Sequence, residues 1–174
     1  MFDVVKKLLL ARQLSLEKGH IKLLEVPVNV IPVSVIAYLE KILIDTFGYE
    51  EARKKIYQGG YEGGRDFCNK FVERYRMKTP REIIEWELNI VTMAGWGELE
   101  LKRLDAKKGS ALVIVKNSSV AEMLGPYGKS IDFFMEGFMA GGSSIALGMP
   151  MKVTEVKCKS KGDSFCEFLF ESEM

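Results

Sequence analysis

The stretch EVKCKSKGDSFCEF, Glu155 to Phe168, holds two of the chain's three cysteines, with Lys161-Gly162-Asp163 between them. Apolar residues alternate on both sides of that glycine, which predicts a β-hairpin. A three-residue loop at Lys161, Gly162 and Asp163 is expected, with Gly162 free to supply a positive φ. Ser160 then faces Ser164, and Cys158 faces Cys166 across the ladder, with Cβ atoms roughly 4.5–5.5 Å apart. Alternation places Thr154, Val156 and Cys158 on one face with Cys166, Phe168 and Phe170, so the thiols look inward. Lys157, Lys159 and Glu167 fall on the other face, where they read as a solvated strand surface and not as a nucleic-acid site.

Working outward, the rest of the chain divides into short, clearly punctuated elements. VSVIAYLEKILIDTF follows Pro32 with a period near 3.6 and stops at Gly48, a helix. Thr79-Pro80-Arg81-Glu82 is an N-terminal cap signature that opens a helix through about Met93. GELELKRLD and SALVIVKN are strand-like about a turn at Lys107 to Gly109. Asn117 to Leu124 reads as a short helix and Ser130 to about Leu147 as a longer one. Near the N-terminus, Phe2 to Ala11 has helical spacing, and QLSLEKGHIKLLEVPVNVIP reads as two strands about Lys18-Gly19. The segment YEEARKKIYQGGYEGGRDFCNKFVERYR is helical on both flanks, with Gly59, Gly60, Gly63 and Gly64 at its middle. Those glycines predict a helix break where backbone approaches something closely, a neighbouring helix before a ligand. The class is α+β: a helical N-terminal and middle region packed on an antiparallel sheet, in one domain over residues 1–174.

Composition narrows the function. The chain has 174 residues, 47% hydrophobic and 28% charged, with net charge +1. That is an ordinary globular balance with no global field for nucleic acid or acidic membrane. An odd cysteine count argues for a reducing compartment and against a disulfide scaffold. With no long uncharged apolar run and no secretory pattern, a soluble cytoplasmic protein without a membrane span is expected.

Three readings of Cys158 and Cys166 stay open on the residues alone. They are two small buried side chains, a cross-strand disulfide, or two ligands of one zinc ion. Two Zn–S bonds of about 2.3 Å at tetrahedral angles need sulfurs roughly 3.8 Å apart, within reach of this pairing.

The pattern E-V-K-C-x-x-x-G-D-x-x-C-E-F, with Glu155, Cys158, Gly162, Asp163, Cys166 and Phe168, resembles the closing signature of the 4-vinyl-reductase domain family. Gly95-Trp96-Gly97, Asn117-Ser118 with Ala121-Glu122, and the glycine-bearing helix with Gly137 and Gly141 follow in order. The similarity spans roughly Gly95 to Phe170. The family is named for a role in bacteriochlorophyll synthesis and also supplies effector-sensing domains of aromatic-responsive activators. Its fold resembles the ligand-binding fold of NO-signalling proteins and of vesicle-tethering subunits. In its zinc-bearing members a glutamate, a cysteine opening the glycine-bearing helix and the two hairpin cysteines hold the metal. The resemblance therefore implies a zinc site at Cys158 and Cys166, with Asp132 at the helix cysteine's position and Glu122 as the nearest glutamate. Asp132 departs from the family pattern, although aspartate is itself a zinc ligand. Alternatively it is an acid near a helix N-terminus, and Glu122 an exposed helical residue. A site of these four would be closed and structural, with a charge of about −2 that nearby lysines offset in part.

Other conspicuous residues carry weaker signals. His20 is the only histidine, in a hairpin, so neither an axial haem ligand nor a triad is expected. The glycine cluster lacks the Lys-Ser/Thr of a phosphate loop, and no dinucleotide fingerprint is present, so no nucleotide cofactor is expected. Cys68 reads as a buried small residue. Gly137 and Gly141 offer a small face for the sheet or for a second subunit, and a homodimer is expected. Trp96 and Tyr61 are candidates for lining an apolar cavity. The leading functional reading is a small-molecule module for an apolar or aromatic ligand, a receiver more than a catalyst, passing its signal to an effector protein. The alternatives are an enzyme or accessory factor in tetrapyrrole vinyl reduction and a dimeric scaffold.

Overall fold

Four glycines do not interrupt the helix that holds them. The computed structural model describes residues 14–23 and 26–173, and in it Tyr49–Tyr75 form one continuous helix. The expected break at Gly59 to Gly64 is therefore corrected: each glycine costs up to about 1 kcal/mol in a helix interior, and the tight packing of Gly60 and Gly64 against a neighbouring helix offsets it.

The chain divides into two compact units, residues 1–32 and 33–174. The first contains an antiparallel sheet of β1 (Leu14–Glu17), β2 (His20–Leu23) and β3 (Val26–Val28) in that order. Lys18 and Gly19 both have positive φ, the geometry of a two-residue hairpin turn. The sequence reading anticipated two strands here, and β3 is the addition. Pro27 suits its edge position, where a missing N–H costs no ladder bond. The helical reading of Phe2 to Ala11 lies outside the described residues.

The second unit holds helices α1 (Val33–Phe47), α2 (Tyr49–Tyr75), α3 (Pro80–Met93), α4 (Ser119–Leu124) and α5 (Phe133–Leu147). Its sheet consists of β4 (Glu98–Asp105), β5 (Ser110–Lys116), β6 (Met151–Lys157) and β7 (Cys166–Ser172), antiparallel in the order β4-β5-β7-β6. The α+β reading matches this arrangement. Thr79 caps α3 by accepting from the Glu82 N–H at 3.2 Å, and Glu82 accepts in turn from the Lys78 N–H. The core joins Val113, Val115, Met151, Val153, Phe168 and Phe170 of the sheet to Ile84, Leu88, Met135, Met139 and Ala140 of the helices.

At the centre α2 and α5 meet backbone to backbone. A Cβ on Gly64 would lie 2.0 Å from the Phe138 carbonyl oxygen, and one on Gly60 2.4 Å from that of Phe134. From the other side, a Cβ on Gly137 or Gly141 would lie 2.0 Å from the carbonyl oxygen of Tyr57 or Tyr61. Gly137 and Gly141 are thus consumed within the chain, against α2, and leave no face for the sheet or a second subunit. Gly59 and Gly63 point away, with open space around them. Side chains close the seam: Tyr61 Oη and Ser144 Oγ lie 3.1 Å apart, and Tyr57 Oη accepts from the Val153 N–H.

A glycine inside the seam and one that points away from it should therefore respond with opposite sign. Gly141→Ala is expected to destabilise by about 3 kcal/mol, the upper range for overpacking. Gly63→Ala should stabilise by about 1 kcal/mol through helix propensity alone. Urea denaturation of both variants checks the pair.

Candidate metal centre

The hairpin forms with a different register from simple alternation. Glu155 pairs with Phe168 and Lys157 with Glu167, so Val156 is an extra residue, a β-bulge. The bulge resets the faces. Val153 and Glu155 are buried, Val156 and Lys157 are exposed, and Cys158 is buried again. The expected inward position of Val156 is corrected on this ground, and Thr154 is only half-buried.

The loop is also longer than three residues. Lys159–Lys161 make a 3-10 turn, and Gly162 follows at φ 103°. Cys158 O accepts from the N–H groups of Lys161 and Asp163, while Asp163 Oδ2 accepts from the Cys158 N–H at 2.8 Å. Ser160 does not face Ser164. It is buried in the turn, its Oγ donating to the Lys129 carbonyl and lying 2.9 Å from Cys158 Sγ.

With the bulge in place, Cys158 Sγ and Cys166 Sγ stand 4.0 Å apart, as free thiols. Asp132 Oδ2 lies 3.7 Å from Cys166 Sγ and accepts from Ser118 Oγ at 2.7 Å. Glu155 completes the group: ligand atoms of Asp132, Glu155, Cys158 and Cys166 all fall within 4.8 Å of one another, and all four residues are buried. The sequence reading named three of these four. Glu122 stands apart, exposed on α4, with Oε1 2.6 Å from Lys159 Nζ. The signal for Glu155 was its place at the head of the quoted motif, but alternation from Cys158 put it outside, and only the bulge brings it in.

Asp132 sits at the N-cap of α5 yet makes no capping bond. That duty falls to Glu40 of α1, whose Oε1 accepts from the Phe134 N–H at 3.1 Å. Asp132 is left free to face the thiols.

The cluster is crowded with acid and poor in hydrogen bonds. Asp132 Oδ1 and both carboxylate oxygens of Glu155 are buried without a partner. Burial pushes the Asp132 carboxyl up to about 7 and that of Glu155 up to about 11, the latter raised further by Asp132. A hydrogen bond from the Cys166 thiol pulls Cys158 down to about 5, and the same bond holds the Cys166 proton in place. A bound cation would offset the crowded negative charge of these groups once they are ionised. Two sulfurs and two carboxylates fit zinc, and the 4.0 Å sulfur separation is near the roughly 3.8 Å that tetrahedral ligation needs.

The cavity candidates lie elsewhere. Trp96 stacks on Phe134 with centroids 5.2 Å apart, and Tyr61 lies on the α2–α5 seam. A groove of about 200 Å³ is lined by Glu50, Arg53, Lys54, Tyr57, Lys152, Val153 and Glu173, with neither of them in its wall. His20 is exposed on β2. No helix among the described residues is long and apolar enough to cross a membrane.

An antiparallel sheet bearing a glycine-packed helix pair, closed by a cysteine hairpin, defines a class that the family comparison specifies. The family model described as V4R domain matches residues 112–172, and that described as Activator of aromatic catabolism matches residues 8–107, more than half of the chain. The chain belongs to the activator-of-aromatic-catabolism family and carries a V4R domain in its C-terminal part. Its fold is similar to the phenol-responsive sensory domain of the transcription activator PoxR, solved with phenol. That match has a TM-score of 0.81 at 21% identity and covers 99% of this chain and 90% of that one. A trafficking protein particle complex subunit 3 from Naegleria fowleri, covalently bound to palmitic acid, aligns at TM-score 0.59 and 14% identity, over 82% of this chain and 95% of that one. An H-NOX protein from S. oneidensis aligns at 0.56 and 9%, over 99% and 90%. The expected likeness to NO-signalling and vesicle-tethering folds is met.

Removing the borrowed cap tests the division of labour at α5. Glu40→Ala should cost about 1 kcal/mol, typical of a lost N-cap, whereas Glu40→Gln, which keeps an acceptor, should cost less. Thermal melts of the two variants decide it.

Proposed function

We propose that this protein is a receiver for a small apolar or aromatic molecule, built around one structural zinc ion. What carries the reading is the similarity, over 99% of this chain, to a sensory domain solved with phenol, together with this chain's match to the activator-of-aromatic-catabolism family. Phenol is that protein's ligand; for this chain the class, an apolar ring or chain, is the inference.

The zinc proposal rests on the buried donor set with its orphaned carboxylate oxygens. Asp132 from the start of α5, Glu155 and Cys158 from the β6 end, and Cys166 from β7 would hold the ion. When bound, zinc would supply a charge-neutralising clamp and not a Lewis acid, because four protein donors leave no position for water. Asp132 and Glu155 would bring the negative charge, and Ser118 would orient the Asp132 carboxylate through its 2.7 Å hydrogen bond. The clamp would fasten the C-terminal hairpin to the helix whose far side packs on α2.

Pairing of two copies is proposed through α1, not through the glycine helix. Val35, Tyr38, Leu39 and Ile42 are exposed on α1 at helical spacing. A dimer mass by light scattering at micromolar protein is expected, and a monomer at all concentrations would remove this part. An effector protein would then read the ligand-bound form.

Elemental analysis of protein purified without chelator should find about one zinc per chain. Glu155→Gln should weaken retention by at least about tenfold, as loss of a ligand does, while Glu122→Gln should leave it unchanged. Asp132→Cys should hold the ion as well or better, because thiolate is a softer donor. Equal loss of stability in Asp132→Ala with and without metal would make Asp132 a helix-terminus residue only.

For the receiver reading, phenols, fatty acids and tetrapyrroles are screened by thermal shift. At least one class should raise the melting temperature by mass action. Silence across all three removes the reading. Turnover of a vinyl tetrapyrrole with added reductant would replace it by the enzyme.

A further inference from the structure

Five acidic side chains are buried among the described residues, and four of them have work to do. Glu40 caps α5, Glu136 takes a bidentate pair from Arg53, and Asp132 and Glu155 belong to the donor cluster. Glu87 has no such partner. It is 1% exposed, and its Oε1 is buried without a hydrogen bond.

Its position in the sequence makes the anomaly sharper. Ile83, Ile84, Leu88 and Val91 form the buried stripe of α3, and Glu87 stands inside that stripe at a core position. The carboxyl is aimed at α5, where Gly142 has no side chain. A Cβ on Gly142 would fall 1.8 Å from Glu87 Oε1, so the glycine is the cradle in which the carboxyl sits. Cys68 of α2 is fully buried in the same core, near enough that burial and then the Glu87 charge push its thiol up to about 12. Burial alone raises the Glu87 carboxyl, with no cation or donor to oppose it. An unpaired buried carboxyl destabilises a fold, and an apolar residue of similar volume would serve the core better. A group kept at such a cost is characteristic of a site whose partner arrives from outside.

We propose that Glu87 is the polar contact of an interior ligand site between α2, α3 and α5, where its carboxyl takes the hydrogen-bond donor of an otherwise apolar molecule. The inference rests on the receiver reading and specifies its ligand: a small ring or chain bearing one donor group. A neutral hydroxyl and a protonated amine both present that chemistry. The hydroxyl suits a protonated carboxyl, which both donates and accepts, and the amine suits an ionised one.

The test uses the full chain with three probes of one size: phenol, benzylamine and toluene. Phenol or benzylamine, or both, should raise the melting temperature and bind at least roughly tenfold more tightly than toluene, the effect of one buried hydrogen bond. Calorimetric titration measures the affinities. Phenol alone assigns a neutral donor, and benzylamine alone a cation. Glu87→Met should raise the melting temperature of the unliganded protein and abolish the preference over toluene. Glu87→Gln, nearly isosteric, should keep phenol and lose benzylamine. Gly142→Ala, which fills the cradle, should weaken both probes more than toluene.

A lower melting temperature for Glu87→Met, or a phenol preference that survives it, overturns the assignment while leaving the receiver reading in place. Binding of fatty acids or tetrapyrroles with silence from all three probes does the same. Silence from every compound removes both.

Discussion

The contact on which the rest depends is backbone against backbone, α2 on α5. Close approach leaves no room for side chains, and Gly60, Gly64, Gly137 and Gly141 are where none exists. Once the axes are that near, α5 has little freedom to slide or rotate, because any other register would place a side chain against a carbonyl. Its N-cap position then fixes Asp132, its first turn fixes Glu136, and its third turn fixes Gly142. The helix is a rigid ruler, and the two candidate sites are marks on it.

Polar groups at the ruler's N-terminal end fix the neighbours of the thiol cluster. Arg53 of α2 holds Glu136 through two hydrogen bonds, and Glu136 Oε1 accepts from the Glu155 N–H at 2.6 Å. The same oxygen thus positions the backbone of β6 at the bulge that turns Glu155 inward. Glu40 takes over the helix cap and so releases Asp132. Each of these acids would be costly alone in the core; paired, each fixes one neighbour of the thiol cluster. The exposed ion pairs, such as Lys41 with Asp45 or Arg81 with Glu85, carry little by comparison.

Much of this was legible in the chain because local signals agree with the fold. Cap and stop residues bounded α1 and α3 within a residue or so, and the paired strands β4 and β5 followed from alternation. The four glycines misled because glycine in a helix carries two opposite meanings, weak propensity and close packing, and only a partner helix distinguishes them. Cys158 and Cys166 were readable from the hairpin, and Asp132 only through the family resemblance. Glu155 was not, although it heads the same motif, because a one-residue bulge inverts every face upstream of it and no residue type announces a bulge here. Glu87 was invisible for another reason. A glutamate at a stripe position of a helix looks like a slightly misplaced surface residue until burial and the absence of a partner are known.

The spacing of the two marks along α5 has a physical consequence. Asp132 and Gly142 are ten residues apart, so the donor cluster and the Glu87 cradle lie about 15 Å from one another along the axis at 1.5 Å per residue. A metal at one end would tie α5 to the hairpin, and a ligand at the other would bear on α3 and α2 through Glu87 and Cys68. Because α2 and α5 meet backbone to backbone, strain from the ligand end would find its softer outlet in α3, whose Glu87 side chain reaches Gly142 of α5. A structure tied at one end and yielding at the other converts occupancy into a displacement in a defined place, which is what a receiver needs if a second protein is to read it.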